Sequence, residues 1–373
     1  MAKNIEPVYY GEYLQLDKLL DAQHPHSPRY GAEAHDETLF IIVHQVYELW
    51  FKQVLHELKS VLALFQSAAI ADQDLITVVH RLDRVKAIQT LMNDQVGIIE
   101  TMTPQEFLAF RDYLLPASGF QSIQFKELEI ILGLTRKRRV AFDQQSFYNR
   151  LSNEHRTHLE ALEEQPSLFD RIDAWLARMP YLEFAGFSFW SLYQDAVKNM
   201  LASDEQIIEA NDTLTAAEKE QELAALAATR DNFAALFDAD KYQQAQADGR
   251  VRLSQHALLS ALFISLYREE PVFNLPFQVI TSLADIDEKL TIWRYKHAMM
   301  VQRMIGSKIG TGGSSGHDYL RKTTESNRVF ADFFAMATYL IPKAELPRLP
   351  DHVRRTMGFW VAGLEQASGD LDL

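Results

Sequence analysis

Cysteine is absent from the 373-residue chain. That excludes disulfides, thiolate nucleophiles, Cys-ligated zinc, thiolate-held iron–sulfur clusters and thiolate- or thioether-linked haem. Any metal or cofactor has to be held by histidine, carboxylate or tyrosine. Glycine (15) and proline (12) are scarce, which disfavours turn-rich β architecture and favours long helices. No apolar run approaches the ~18 residues of a membrane span. Met1-Ala-Lys-Asn-Ile-Glu-Pro7 lacks the apolar core of a signal peptide. A soluble cytoplasmic protein with no membrane partner is expected. Positive charge is outweighed, 37 Lys and Arg against 51 Asp and Glu, and the net charge of −14 repels nucleic-acid phosphates. The one basic run, Arg136-Lys-Arg-Arg139, reads as a solvated connection.

A hydrophobic fraction of 47%, with 22 Phe and 14 Tyr, is enough for a substantial core. The length allows one large domain or two ordinary ones. We expect a single all-α domain over 1–373, with 1–34 as an N-terminal arm and 203–247 as a polar helical insertion. The periodicity predicts a short amphipathic helix over 9–22 and long helices over 36–65 and 74–99. A capped helix starts at Thr103-Pro-Gln-Glu106. Further helices are expected over 120–133, 144–162, 168–178, 214–237, 252–267 and 277–303, then weakly over 319–339. The tail from Pro342 reads as irregular, and no convincing strand pair is visible.

Two histidines lie on apolar helical faces. In 277–303 and just beyond it, Leu290, Trp293, His297, Val301 and Met304 recur at spacings of three and four. In 36–65 the stripe is Phe40, His44, Tyr47, Phe51, Leu55 and Leu58. A lone histidine on such a face is more often a packing residue than a ligand; two in separate long helices are harder to dismiss. Arg111, among aromatics, has two readings: an arginine snorkelling to the surface, or a guanidinium fork for a carboxylate. The first helix likewise either docks on its own subunit or reaches a neighbour. Gly310-Thr-Gly-Gly-Ser-Ser-Gly316 lacks the Lys-Ser/Thr of a P-loop and follows a helix rather than a strand. His56-Glu57 has no second histidine at zincin spacing, and no Glu-x-x-His pair exists for a di-iron bundle. Isolated histidines on apolar faces of a cysteine-free, all-α chain suit a haem.

Five motifs then occur together: Tyr10-Gly-Glu-Tyr13-Leu14; His35 to Trp50, with Phe40, Ile41, Ile42, Val43 and His44; Phe110-Arg111 to Gln121; Trp293-Arg-Tyr-Lys-His297; and Gly310-Thr311 to Gly316. In this order, from about residue 8 to Pro342, the chain resembles the tryptophan 2,3-dioxygenases, with a polar segment like that of the longer, animal-type members. The resemblance implies a cytoplasmic homotetramer, a dimer of dimers, with one haem b per subunit, ferrous when active. It implies opening of the indole C2–C3 bond of L-tryptophan with O2 to give N-formyl-L-kynurenine, the first step of tryptophan catabolism by the kynurenine route. By the same resemblance His297 is the iron ligand and His44 the catalytic residue that accepts from the indole N–H. Arg111 and Thr311 hold the substrate's charged groups. Phe40 and Phe107 wall the indole, with Ile41, Ile42 and Val43 counted in the same pocket. Tyr10, Tyr13 and Leu14 complete a neighbour's site.

Lys126 stands where an arginine is expected at the haem edge. A second tryptophan site of animal-type members is matched at Trp175, Arg178 and Pro180, but its other partners are replaced by Ala71 and Gln73, so it is not assigned. The competing functions are a related haem oxygenase acting on a substituted indole and a non-catalytic haem sensor. Arg111, Thr311 and His44 together favour the dioxygenase.

Overall fold

The computed structural model describes residues 7–31, 33–66, 70–136, 139, 148, 151–184, 186–306, 308 and 316–357. Among these the chain is all-α, as expected, apart from one two-residue antiparallel pair, Glu183–Phe184 with Phe187–Ser188. The sequence reading missed that pair, because two residues per strand are too few for alternation to show. No helix among the described residues is long and apolar enough to cross a membrane.

The chain forms two compact units. The first comprises Met1–Lys59, Arg84–Gln165 and Glu288–Arg328, the second Ser60–Asp83, Pro166–Asp287 and Val329–Leu373. In the first, the Asp36–Leu64 helix opens with Asp36 and Glu37, where its dipole favours negative charge. Glu37 is buried and accepts from the backbone N–H of His26 (2.7 Å) and Ser27 (2.9 Å), fixing the chain that enters the helix. The Pro104–Arg111 helix starts as predicted. Thr103 Oγ1 accepts from the Glu106 N–H at 3.3 Å and Glu106 accepts from the Thr103 N–H at 2.6 Å. The Ile123–Leu132 helix ends at Gly133, whose φ of +117° a side chain would resist. It packs on the Asn153–Glu163 helix through Ile130 and Leu159. Met102, Phe110, Met304 and Ile305 form a second buried cluster, edged by Phe40, Phe107, Met300 and Val301.

The expected single helix over 9–22 is instead two short ones, Tyr10–Leu14 and Leu16–Leu20. Gln15 takes a left-handed φ of 53° and its amide donates to the Glu12 carbonyl at 2.6 Å, which ends the first turn.

The second unit is filled with aromatics. Phe189, Tyr193, Phe263, Tyr267 and Phe273 are buried against one another, with ring centroids 4.7–5.3 Å apart along the chain of contacts from Tyr193 to Phe273. The Gln255–Leu266 helix is buried over every residue from Ala257 to Ser265 and packs on Leu168–Leu176. The polar segment expected over 203–247 is entered by a helix, Phe189–Ala210, that buries one stripe, Phe189, Tyr193, Val197 and Leu201. It pairs with Ala216–Phe237, where only Phe233 and Leu236 are buried, as a solvent-facing helix requires. The tail is more ordered than expected: a 3-10 turn at Lys343–Glu345 and a helix at Asp351–Met357 follow the prolines. Pro350 sits just before that helix, a position that needs no N–H donor.

Candidate functional site

The first unit encloses a cavity of about 330 Å³, within the size range of small-molecule sites. Helical periodicity builds it. Asp36–Leu64 supplies Phe40, Val43, His44, Tyr47, Glu48 and Phe51, and Asn274–Ile305 supplies Trp293, Arg294, His297, Met300, Val301 and Met304. These are the two stripes read from the sequence, now facing one space. Phe107 and Arg111 enter from the Pro104–Arg111 helix, and Phe125, Lys126 and Glu129 from Ile123–Leu132.

His44 lies one helical turn after Phe40 and its Nδ1 is 2.7 Å from the Phe40 carbonyl. A carbonyl only accepts, so Nδ1 carries the proton and Nε2 keeps its lone pair. The ring is open to the cavity but crowded by protein elsewhere, and that burial lowers its pKa, against the smaller opposing effects of the Phe40 carbonyl and Glu48. His44 is therefore neutral at pH 7. Phe40 packs beside the imidazole at 4.1 Å and stacks on Phe107 at 5.7 Å.

His297 is brought to about 4 by burial and, secondarily, by His44. Its neutral ring stacks on Trp293, centroids 5.2 Å apart and planes 3° from parallel. Its Nδ1 is buried and meets no acceptor among the described residues. Trp293 is boxed in by Tyr47, Phe51 and Phe125 at 5.2–6.3 Å. Tyr47 donates to the Met92 carbonyl at 2.8 Å, and burial pushes its hydroxyl up to about 12.

Arg111 lines the cavity with only 15% of its side chain exposed. The Asp112 carboxylate, 3.8 Å away and largely in solvent, is a weak partner. With so little of it exposed, the side chain does not snorkel into solvent.

The cavity thus brings together Phe40, Val43, His44, Phe107, Arg111 and His297. Ile41 and Ile42 are not among its walls, and Ile42 is 43% exposed. Tyr10, Tyr13 and Leu14 are also away from it, 71%, 75% and 40% exposed. Thr311 and its glycine-rich loop lie outside the described residues. Beyond Lys126, sequence reasoning missed the polar end of the cavity, where Glu129 and Arg294 pair at 2.8 Å near Asn327. A glutamate inside the apolar run Leu128-Glu129-Ile130-Ile131 was the available signal. Among the described residues no group of three or more His, Asp or Glu could hold a metal ion by itself.

An all-helical chain that hollows one unit around two neutral histidines has the build of a ligand-holding enzyme, not of a filled bundle. The family model described as tryptophan 2,3-dioxygenase matches residues 3–340. A protein of that name from Alteromonas mediterranea is 62% identical, over 97% of this chain and 100% of its own length. Those of Bdellovibrio bacteriovorus and Xenopus laevis are 46% and 44% identical, over 95% and 93% of this chain and 98% and 85% of theirs. The chain belongs to the tryptophan 2,3-dioxygenase family, which its motifs resemble, and so to the oxidoreductases.

Proposed function

We propose that the chain binds one haem b per subunit in this cavity and, in the ferrous state, opens the indole C2–C3 bond of L-tryptophan with O2. The product is N-formyl-L-kynurenine, in which each carbon of the broken bond has received one oxygen atom. The observation that carries this reading is the pair of neutral histidines facing one apolar-walled space, with an inward arginine.

The residues fit the haem. Its flat apolar ring suits the Phe and Met walls, its carboxylate edge suits the polar end at Lys126, and the iron suits a neutral imidazole. His297 is the ligand. When bound, the haem supplies the redox chemistry with O2 that no side chain here provides.

The protein supplies position. His44 Nε2 is a bare acceptor fixed by the Phe40 carbonyl, and an indole N–H is a donor. Accepting that hydrogen bond selects a substrate with an N–H and sets the plane of the ring. Phe40 and Phe107, stacked on one another, wall the indole on one side. Arg111 offers two parallel N–H bonds to the substrate carboxylate, which fixes orientation as well as energy. Thr311 is assigned to the same end of the substrate by the motif alone. The exposed Tyr10, Tyr13 and Leu14 present apolar surface suited to another subunit, in keeping with an arm that completes a neighbour's site in a homotetramer. We place the enzyme in the cytoplasm, at the first step of tryptophan catabolism by the kynurenine route.

The test is anaerobic reduction of the haem-loaded protein, then addition of L-tryptophan and O2, following product absorbance. One product per O2 consumed is expected. Bound haem without product would move the assignment to a redirected oxygenase or a sensor.

A further inference from the structure

A histidine that ligates a metal is ordinarily oriented by a hydrogen bond through its other ring nitrogen. For His297 that nitrogen, Nδ1, is buried and meets no acceptor among the described residues. Two other contacts bear on its direction. One contribution is the parallel stack on Trp293, one turn earlier on the same helix. The other is Arg294, which is 3% exposed. Its Nη2 donates to Glu129 Oε1 at 2.8 Å and its Nη1 to the Asn327 carbonyl at 2.7 Å. Glu129, itself 5% exposed, belongs to the Ile123–Leu132 helix, and Asn327 directly follows Gly316–Ser326. A single guanidinium therefore joins three segments, each of which lines the cavity.

Stability is a poor explanation for such a pair. Its Coulombic gain is largely offset by desolvation, and replacing both partners with apolar side chains is often neutral or stabilising. Direction is a better one. The guanidinium is planar, and two of its N–H groups aimed at acceptors on separate segments resist both rotation and sliding of the helix. Arg294 precedes His297 by nearly one turn, so a rotation that swung the imidazole would strain both bonds.

We propose that the Glu129–Arg294–Asn327 clamp, with Trp293 stacked on the imidazole, is a positioning device that aims His297. The proposal rests on the reading of His297 as the haem ligand. The two are separated by comparing full-length wild type, H297A, R294K and the E129M/R294M double variant, each titrated with haem. Three quantities are read: the thermal midpoint, the rate of haem transfer to an excess of apo-myoglobin, and the ferrous iron–histidine stretching band in resonance Raman. If H297A keeps the wild-type band, the ligand assignment fails, and the clamp with it. If H297A loses the band, the assignment stands and the other variants decide the clamp. The double variant is expected to hold its midpoint but release haem ~10-fold faster or more, in line with outer-shell effects on metal sites, with a shifted or broadened band. R294K, which keeps the charge but not the fork, falls between. Wild-type band and release rate in the folded double variant would overturn the clamp. Should the double variant not fold, the same two quantities in R294K decide it, unchanged values overturning the proposal and altered ones supporting it.

Discussion

The two compact units use aromatic residues in opposite ways. In the second, Phe189, Tyr193, Phe263 and Tyr267 close on one another, and each buried tyrosine gives its hydroxyl to a backbone carbonyl: Tyr193 to Tyr339, Tyr242 to Leu253 and Tyr267 to Pro347. Burial raises the pKa of all three, so they stay neutral donors. In the first, Phe40 pairs with Phe107 and Phe125 with Trp293, but both pairs line a cavity rather than filling it, and the ring nitrogen His297 Nδ1 lies buried with no acceptor among the described residues. Packed polar groups that find partners stabilise a fold, whereas unpaired ones beside a cavity are kept at a cost of ~1–3 kcal/mol each. The contrast separates a unit built to be full from one built to be filled.

Substitutions can break that contrast. The largest effect is expected at Arg111. Arg111→Leu should lower kcat/KM for L-tryptophan roughly 10³-fold or more, since a site built to hydrogen-bond a group discriminates strongly once one partner is gone. Thermal stability should barely change; a matching loss of stability would mean that Arg111 is a packing residue. Next comes a paired comparison. Phe263→Ala, in the filled unit with 0% exposure, should destabilise by ~3–5 kcal/mol in denaturant titration. Phe107→Ala, half-buried and open to the cavity on one side, should cost less, ~1–2 kcal/mol, because only its packing on Phe40 and Phe110 is lost, while raising KM. Equal costs would erase the distinction between the units.

The smallest effect concerns His44. Its pKa lies below the usual histidine value because of burial, so lowering the pH from neutral should leave activity level until that lowered pKa is reached. Below it, protonation removes the Nε2 acceptor and kcat/KM falls. His44→Ala should slow turnover roughly 10-fold, the worth of one hydrogen bond to a buried group, and lose this acid limb. An acid limb retained in the variant would assign the titration to another group.

The parts of this arrangement that follow helical spacing were legible in the sequence. His44, Phe40, Tyr47 and Phe51 share one stripe, and Trp293, His297, Val301 and Met304 another, because side chains three and four apart share a helical face. The family resemblance supplied Arg111 and Phe107. Ile41 and Ile42 share the motif with Phe40, but each residue turns the helix by about 100°, which carries them off the cavity face. The Glu129–Arg294 pair spans 165 residues of sequence, and no local pattern announces a partner that distant. Gln15 shows the same limit at short range, since the apolar spacing continues through the residue that breaks the helix.

The central claim is that the two histidines of the hollow unit divide the work, His297 holding haem and His44 holding substrate. Haem content after reconstitution tests it most directly, measured in wild type, His297→Ala and His44→Ala. The account predicts one haem per chain in wild type and in His44→Ala, and essentially none held in His297→Ala. Equal loss in both variants, or full retention in both, would contradict it.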